Sequence, residues 1–279
     1  SPQNRAKNFG LIGMAFGLGF IAGPFIGGKL SDPGLCSWFN AATPFWFAAI
    51  LSLANCASIL TMFPETLKEK FHGGRIKVSQ SVSNVITGFK SDRLRAVLMA
   101  SFLFSAGFTF FTTFFGVYLR NNFNFSSAKI GDYFAIVGLF IAISQAVVVA
   151  KVAKKLADWK VLRFSMFGLG AMMLVYFVIP TTSSYYLYLV IPFFTLFNGL
   201  TMANMSSLIS RSAEMGQQGQ AMGIYSSVSS LAQVPASILV GYITSDITSS
   251  QPLFVSSACI ILGGAVFFVL FKPKYVMEV

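Results

Sequence analysis

The sequence has little charge, one histidine and few cysteines. Only 10% of its 279 residues are Asp, Glu, Lys or Arg, whereas a typical soluble domain has about 25%. Three widely separated cysteines, Cys36, Cys56 and Cys259, offer neither a disulfide framework nor a metal site. Together with 55% hydrophobic residues and 31 Phe, this composition excludes an ordinary soluble globular domain.

The few charged residues are unevenly distributed along the chain. Eight stretches contain none of them, and each is long enough to cross a hydrocarbon core of about 30 Å as a helix. The stretch 96–118, for example, shows neither the polar stripe of a soluble core helix nor the alternation of a membrane β-strand. We therefore predict eight transmembrane helices. Their ranges are 9–28, 45–63, 96–118, 133–150, 164–182, 185–209, 221–244 and 252–271.

The basic residues indicate how these helices are oriented. With the N-terminus in the cytoplasm, seventeen of the 20 Lys and Arg fall on the inside, and only Lys29, Arg120 and Lys129 fall outside. This asymmetry predicts a multi-pass protein of the cell (inner) membrane with both termini cytoplasmic. Because the basic residues are scattered over several loops and the termini, they predict no nucleic-acid partner.

The inside segment 64–95 separates two spans from six. It contains His72 and seven basic residues. Six spans can form a complete bundle, whereas two hydrophobic helices alone can hardly do so. The sequence also begins at Ser1 without an initiator Met or a signal peptide. We therefore expect that further helices precede Ser1 in the complete protein.

The first span contains the most informative motif. Glycines at 19, 23 and 27 recur every four residues, which places them on one helix face that a neighbouring backbone can approach closely. The proline at 24 predicts a kink. Small residues at this spacing are also common wherever membrane helices touch. The complete motif consists of Gly10, Gly19, Gly23, Pro24, Gly27 and Gly28.

The full spacing, Gly-x8-Gly-x3-Gly-Pro-x2-Gly-Gly, resembles the antiporter motif in the fifth helix of the major facilitator superfamily. Residues 63–67 (FPETL), 120–145 and 218–223 are similar to segments of its tetracycline-efflux-like branch, the drug:proton antiporters. The resemblance implies an all-α polytopic membrane helix bundle, N-terminally truncated, whose eight helices correspond to helices five to twelve of twelve. Residues 1–63 would then be the last two helices of the N-terminal half-bundle, 64–95 the central cytoplasmic loop, and 96–279 the complete six-helix C-terminal half-bundle.

The eight spans contain no ionisable side chain of the Asp, Glu, Lys or Arg type, and Asp132 is the nearest carboxylate. The resemblance places the third and sixth spans nearest the transport path, with the fourth and seventh beside it. Amides, hydroxyls and aromatic rings there suit an amphipathic ligand, including a cationic one. Hydrogen bonding between helices is the alternative role of each residue. The candidates are Phe108, Thr109, Thr112, Gln145, Asn198, Thr201, Asn204, Tyr225, Ser229 and Gln233.

The resemblance implies a secondary active transporter that exports a small amphipathic compound or drug, as in antibiotic resistance, in exchange for protons. It would work by alternating access, as a monomer in the lipid bilayer and without a cofactor. A uniporter or symporter of a small metabolite and a non-transporting membrane protein remain alternatives. An enzyme is not predicted, because the sequence offers no positioned acid, base, nucleophile or metal cluster.

Overall fold

The structure is a computed structural model that describes residue 19 and residues 22–63, 78–152, 155–213, 217–243 and 250–273. Within these ranges every regular element is helical and no strand occurs. The helices, in chain order, are α1 (22–30), α2 (Thr43–Met62), α3 (Val78–Lys90), α4 (Arg95–Phe123), α5 (Ser127–Ile143), α6 (Ala150–Val152), α7 (Asp158–Val178), α8 (Tyr185–Ser212), α9 (Gln218–Ile243) and α10 (Gln251–Leu270).

Seven helices of the described residues are long and apolar enough to cross a membrane. They are α2, α4, α5 with its continuation to Val148, α7, α8, α9 and α10. These helices coincide with seven of the eight predicted spans, so the prediction of an all-α polytopic bundle is confirmed. Most of the remaining span, 9–28, lies outside the described residues, and only its end falls within α1.

Local sequence signals set several of the helix boundaries. Pro44 and Pro252 lie in the first turns of α2 and α10, where a missing N–H costs no hydrogen bond. Asn124 ends α4 in the left-handed conformation, with φ 54°. The Ser126 hydroxyl caps α5 by accepting a hydrogen bond from the Lys129 N–H. The α4–α5 connection is therefore short and well defined.

Helices α4 to α10 form a bundle in which α4 packs against both α9 and α10. Helix α10 also packs against α7, α7 against α8, and α8 against α5. Small residues permit these close contacts: a Cβ added to Gly107 of α4 would lie 2.8 Å from the Ser256 carbonyl oxygen of α10. Buried rings of Phe111, Phe115 and Phe194 fill the bundle interior.

Helix α5 does not remain an α-helix to its end. After Ile143 it continues as a π-helical turn, Ser144–Val149, which leads into α6. A π-turn bonds each N–H to the carbonyl five residues earlier and therefore contains more residues per turn than an α-helix. Three consecutive β-branched valines, at positions 147–149, lie in this turn. The sequence predicts an uninterrupted span here, and the structure corrects that expectation.

The segment 64–95 also contains more structure than a loop. Residues 78–90 form α3, whose Val85 and Phe89 pack against Leu98 of α4 and Ile224 of α9. Residues 64–77, which include the Phe-Pro-Glu-Thr-Leu segment beyond Phe63, lie outside the described residues. Helix α3 therefore joins part of the predicted cytoplasmic loop to the inner ends of two membrane helices.

Candidate functional site

Helices α1 and α5 meet backbone to backbone at the end of the bundle that the charge distribution assigns to the outside, called the outer end below. A Cβ added to Gly28 would lie 2.8 Å from the Ser127 carbonyl oxygen and 3.0 Å from the Gly131 Cα. A Cβ added to Gly131 would lie 2.8 Å from the Pro24 carbonyl oxygen. These separations require glycine at both positions, because real Cβ atoms do not approach other atoms so closely.

An ion pair lies beside this glycine contact. The Lys29 Nζ is 3.1 Å from Asp132 Oδ1 and 3.4 Å from Oδ2. The side chains are 37% and 48% exposed, so the pair lies at the surface of the described protein. Asp132, the nearest carboxylate to the predicted spans, therefore has a cationic partner on α1.

The other glycines of the motif have a different environment. Cβ atoms added to Gly19, Gly23 or Gly27 would meet nothing within 4 Å among the described residues. The close approach expected for this stripe is thus made by Gly28, one position beyond it. Gly10 lies outside the described residues.

A cleft of about 750 Å³ opens at the outer end beside the ion pair. Its lining is mainly polar and comes from the α1–α2 and α4–α5 connections. The lining residues are Ser31, Asp32, Pro33, Arg120, Asn121, Asn124, Phe125, Ser126 and Ser127. The cleft is separate from the residues predicted for a transport path.

Three of those predicted residues are buried in α8. Thr201 donates to the Ser165 hydroxyl of α7 across 2.9 Å, so its hydroxyl links two helices. The Asn204 carboxamide donates to the Leu200 carbonyl oxygen of its own helix across 2.7 Å. The carboxamide oxygen of Asn198, in contrast, is buried and has no hydrogen-bond partner among the residues that the structure describes.

A second group of candidates lies along α9. Tyr225, Ser229 and Gln233 are spaced four residues apart and so follow one side of the helix, which becomes exposed at Gln233. The Tyr225 hydroxyl lies close to the hydroxyls of Ser206 on α8 and of Ser229 on its own helix. This contact brings the inner parts of α8 and α9 together, and the residues beyond it border open space in the described protein.

The candidates on α4 and α5 are less buried. Phe108 stacks on Phe104 with 5.7 Å between ring centroids. Thr109 and Thr112 donate to the carbonyl oxygens of Ser105 and Phe108, four residues earlier, at 2.8 and 3.1 Å. The remaining candidate, in the first turn of the π-helix, is the exposed Gln145. The structure therefore separates the candidates into buried and exposed groups, and their part in a path stays a prediction.

A buried tyrosine network was not predicted from the sequence. Tyr118 donates to the Tyr176 carbonyl oxygen across 2.8 Å, and the Tyr133 and Tyr176 hydroxyl oxygens are 2.9 Å apart. The Tyr133 hydroxyl also lies 3.5 Å from the Leu187 carbonyl oxygen. The network ties α4, α5, α7 and α8 together near the outer end. Its only sequence signal is that a phenol placed inside a membrane requires a hydrogen-bond partner.

Polar contacts at the inner end hold helix termini together. Asp158 of α7 forms an ion pair with Arg211 of α8, with 3.2 Å between Oδ2 and Nε, and accepts a hydrogen bond from Ser207. The Arg163 guanidinium lies between the Trp159 and Phe268 rings, 4.8 and 4.7 Å from their centroids. It also donates to the carbonyl oxygens of Phe268 and Phe271 at the end of α10, a favourable position for a cation.

Seven membrane-length helices among the described residues, with apolar surfaces and close inter-helix contacts, define a multi-pass integral membrane protein of the all-α class. A family profile described as Major Facilitator Superfamily matches residues 1–236. The chain therefore belongs to the major facilitator superfamily.

Curated relatives include tetracycline resistance proteins of bacteria. The class H tetracycline resistance protein of Pasteurella multocida is 26% identical over 248 residues, covering 87% of this chain and 59% of the relative. The class C tetracycline resistance protein of Escherichia coli is 24% identical over 242 residues, covering 85% of this chain and 58% of the relative. The chain thus spans less than two thirds of the length of these relatives.

A solved structure has a similar fold. The human organic anion transporter MFSD10 superposes with a TM-score of 0.61 at 20% sequence identity, over 96% of this chain and 64% of that protein. At this identity the likeness concerns the fold alone, and it agrees with the arrangement of helices described above.

Proposed function

We propose that the protein is a secondary active transporter that exports a small amphipathic compound in exchange for protons. The family and the tetracycline resistance relatives support transport. The observation that carries antiport is the glycine-proline motif, whose last glycine packs directly on Gly131 of α5. Symporters of the family usually lack this motif, which favours exchange over cotransport.

Alternating access would use two groups of helices. In this proposal α1 and α2 belong to one half-bundle and α4 to α10 to the other, with 64–95 between them. The Gly28–Gly131 contact and the Lys29–Asp132 ion pair then join the two halves at the outer end. Both contacts would have to separate each time the path opens outward, and re-form when it opens inward.

The proposed path passes along α4, α8 and α9. Aromatic rings such as Phe108 and the hydroxyl and amide groups of Thr112, Gln145, Tyr225 and Gln233 would contact the compound. These groups carry no net charge, which suits an amphipathic compound that also partitions into lipid. Proton coupling would rest on groups outside the middle of these helices, since the described spans have no carboxylate there.

Transport in proteoliposomes tests the proposal. The natural protein should export an amphipathic compound at a rate that rises with an imposed proton gradient of the appropriate direction, and proton movement should accompany export. An export rate that does not change with the proton gradient would contradict antiport. Replacing Gly23 or Pro24 should reduce exchange, and unchanged exchange in both variants would remove the argument from the motif.

A uniporter or symporter with the same fold is the second candidate. It would explain the membrane fold equally well and requires no proton exchange. Proton movement during transport distinguishes these modes: a uniporter moves no protons, a proton symporter moves them in the same direction as the substrate, and an antiporter moves them in the opposite direction. The motif at α1 favours the antiporter over this alternative.

A further inference from the structure

Several buried side-chain oxygens of the described residues have no hydrogen-bond partner, and two of them belong to elements that pack together. These two are the Oγ of Ser144, in the first position of the π-turn, and the Oδ1 of Asn198 on α8. Each residue is only 5% exposed. Leaving a buried polar group unpaired costs free energy, so two such groups in one region indicate an occupant that supplies hydrogen bonds.

The helical register places the two residues at a similar depth. The Tyr133 hydroxyl of α5 lies 3.5 Å from the Leu187 carbonyl oxygen of α8, which aligns the two helices near their outer ends. Ser144 is eleven residues beyond Tyr133, and Asn198 is eleven residues beyond Leu187. Both helices run from the outer to the inner end, so each residue lies about 16 Å below that contact, near the middle of the membrane.

The local backbone supports a site at this level. Helix α8 packs against the π-turn itself, so the two residues lie on neighbouring elements. The π-turn widens α5 at Ser144, and such turns occur frequently at functional sites. The nearby polar side chains of α8 do not supply the missing hydrogen bonds, because Thr201 donates to Ser165 and Asn204 donates to Leu200.

We propose that Ser144 and Asn198 together bind a hydrogen-bond donor group of the transported compound, an N–H of an amine or amidinium or an O–H. The inference rests on the proposed function and names the substrate class more closely. The Asn198 carboxamide oxygen can only accept a hydrogen bond, whereas the Ser144 hydroxyl can accept or donate one. Only a donor group on the compound can pair with both oxygens, so the site favours donors among amphipathic compounds of similar size and charge.

A matched pair of dyes tests this selection. Rhodamine 123 carries amino N–H donors, and its tetra-N-methylated analogue, tetramethylrhodamine methyl ester, has the same charge and skeleton without them. Export of both would be measured in proteoliposomes containing the natural protein. We expect a lower KM for rhodamine 123 than for the methylated dye, because only rhodamine 123 can donate to both oxygens.

Two variants remove the acceptors separately. Asn198→Leu keeps the approximate volume and Ser144→Ala removes only a hydroxyl. Each should raise the KM for rhodamine 123 about three- to tenfold and leave that for the methylated dye nearly unchanged, as expected for one lost hydrogen bond. Thr195→Val is the matched control, since the Thr195 hydroxyl donates to the Pro192 carbonyl oxygen of its own helix. It should leave the ratio of the two KM values unchanged.

The outcomes separate the two proposals. Equal changes for both dyes in the Asn198 and Ser144 variants would overturn the donor site and indicate a structural water, while transport itself would stand. Export of neither dye by the natural protein would overturn the donor-site inference, and export of another amphipathic compound would then still support the proposed function. Asn198→Asp, which keeps an acceptor, should retain the preference for rhodamine 123 if Asn198→Leu does not fold.

Discussion

Lys29 on α1 and Asp132 on α5 form an ion pair although they are 103 positions apart in the sequence. The pair lies next to the Gly28–Gly131 backbone contact, so a charge interaction and a steric fit act on the same two helices. An exposed ion pair contributes only about 0–1 kcal/mol, and the glycine contact therefore determines how closely the helices approach. The ion pair favours one alignment of α1 along α5.

Charge reversal tests the role of this pair. Lys29→Glu places two carboxylates opposite each other and should lower the export rate about fivefold, which corresponds to ~1 kcal/mol of repulsion. The exchange of both residues, Lys29→Glu with Asp132→Lys, should recover most of the rate. Export that stays low in the exchanged protein would mean that Asp132 acts through something other than the pair.

Gly28→Ala should separate α1 from α5, because the added Cβ would lie 2.8 Å from the Ser127 carbonyl oxygen. Cysteines introduced at Ser31 and Ser127, which line the same cleft, would report this in a protein whose native cysteines are replaced. The disulfide yield should fall with Gly28→Ala. Gly27→Ala is the structural control, since its Cβ would meet nothing within 4 Å, and an equal fall in both variants would contradict the contact.

The Thr201–Ser165 hydrogen bond should contribute to stability. Thr201→Val and Ser165→Ala should each lower the free energy of unfolding. The double variant should lower it by less than the sum of the two single effects, and the difference should be about 0.6 kcal/mol. These effects are measured by thermal unfolding, in detergent, of the natural protein, the two single variants and the double variant. Export by Thr201→Val shows whether the hydroxyl has a second role: an unchanged KM assigns Thr201 to helix packing, and a raised KM assigns it to the path.

Arg163→Lys should destabilise the inner end of α10 although it keeps the charge. A lysine has no planar group to lie between the Trp159 and Phe268 rings, and its ammonium group would have to leave that position to donate to the Phe268 and Phe271 carbonyl oxygens, which both accept from Arg163 Nη2. We expect the free energy of unfolding to fall by about 1 kcal/mol, which is measured as a lower unfolding temperature. Arg95→Lys is the control, because its exposed pair with Asp92 tolerates either cation, and equal losses would contradict the assignment.

The sequence predicts the membrane helices well because their signal is local. A span needs about 20 uncharged residues, and no tertiary contact can replace that requirement. Contacts such as Lys29–Asp132 depend on how helices far apart in the sequence are aligned. Their presence could be expected from the scarcity of charges, but their pairing could not.

The hydrogen-bond partners of the polar candidates could not be predicted from the sequence either. Asn198, Thr201 and Asn204 have similar positions in the sequence pattern, each three residues from the next. The structure distinguishes them through their partners: Ser165 for Thr201, Leu200 for Asn204 and, within the described part of the chain, none for the Asn198 oxygen. The π-turn is a further case, since its sequence, SQAVVV, is compatible with a regular α-helix except for a weak bias from three valines.

The π-turn of α5 has a consequence for comparing this chain with its relatives. A π-turn accommodates one residue more than an α-helical turn between the same two ends. Any relative whose corresponding helix is α-helical throughout should align with this chain only after a one-residue gap within 144–149. An alignment forced through that region without the gap would shift every later position of the helix by one, and would compare Lys151 with the wrong residue.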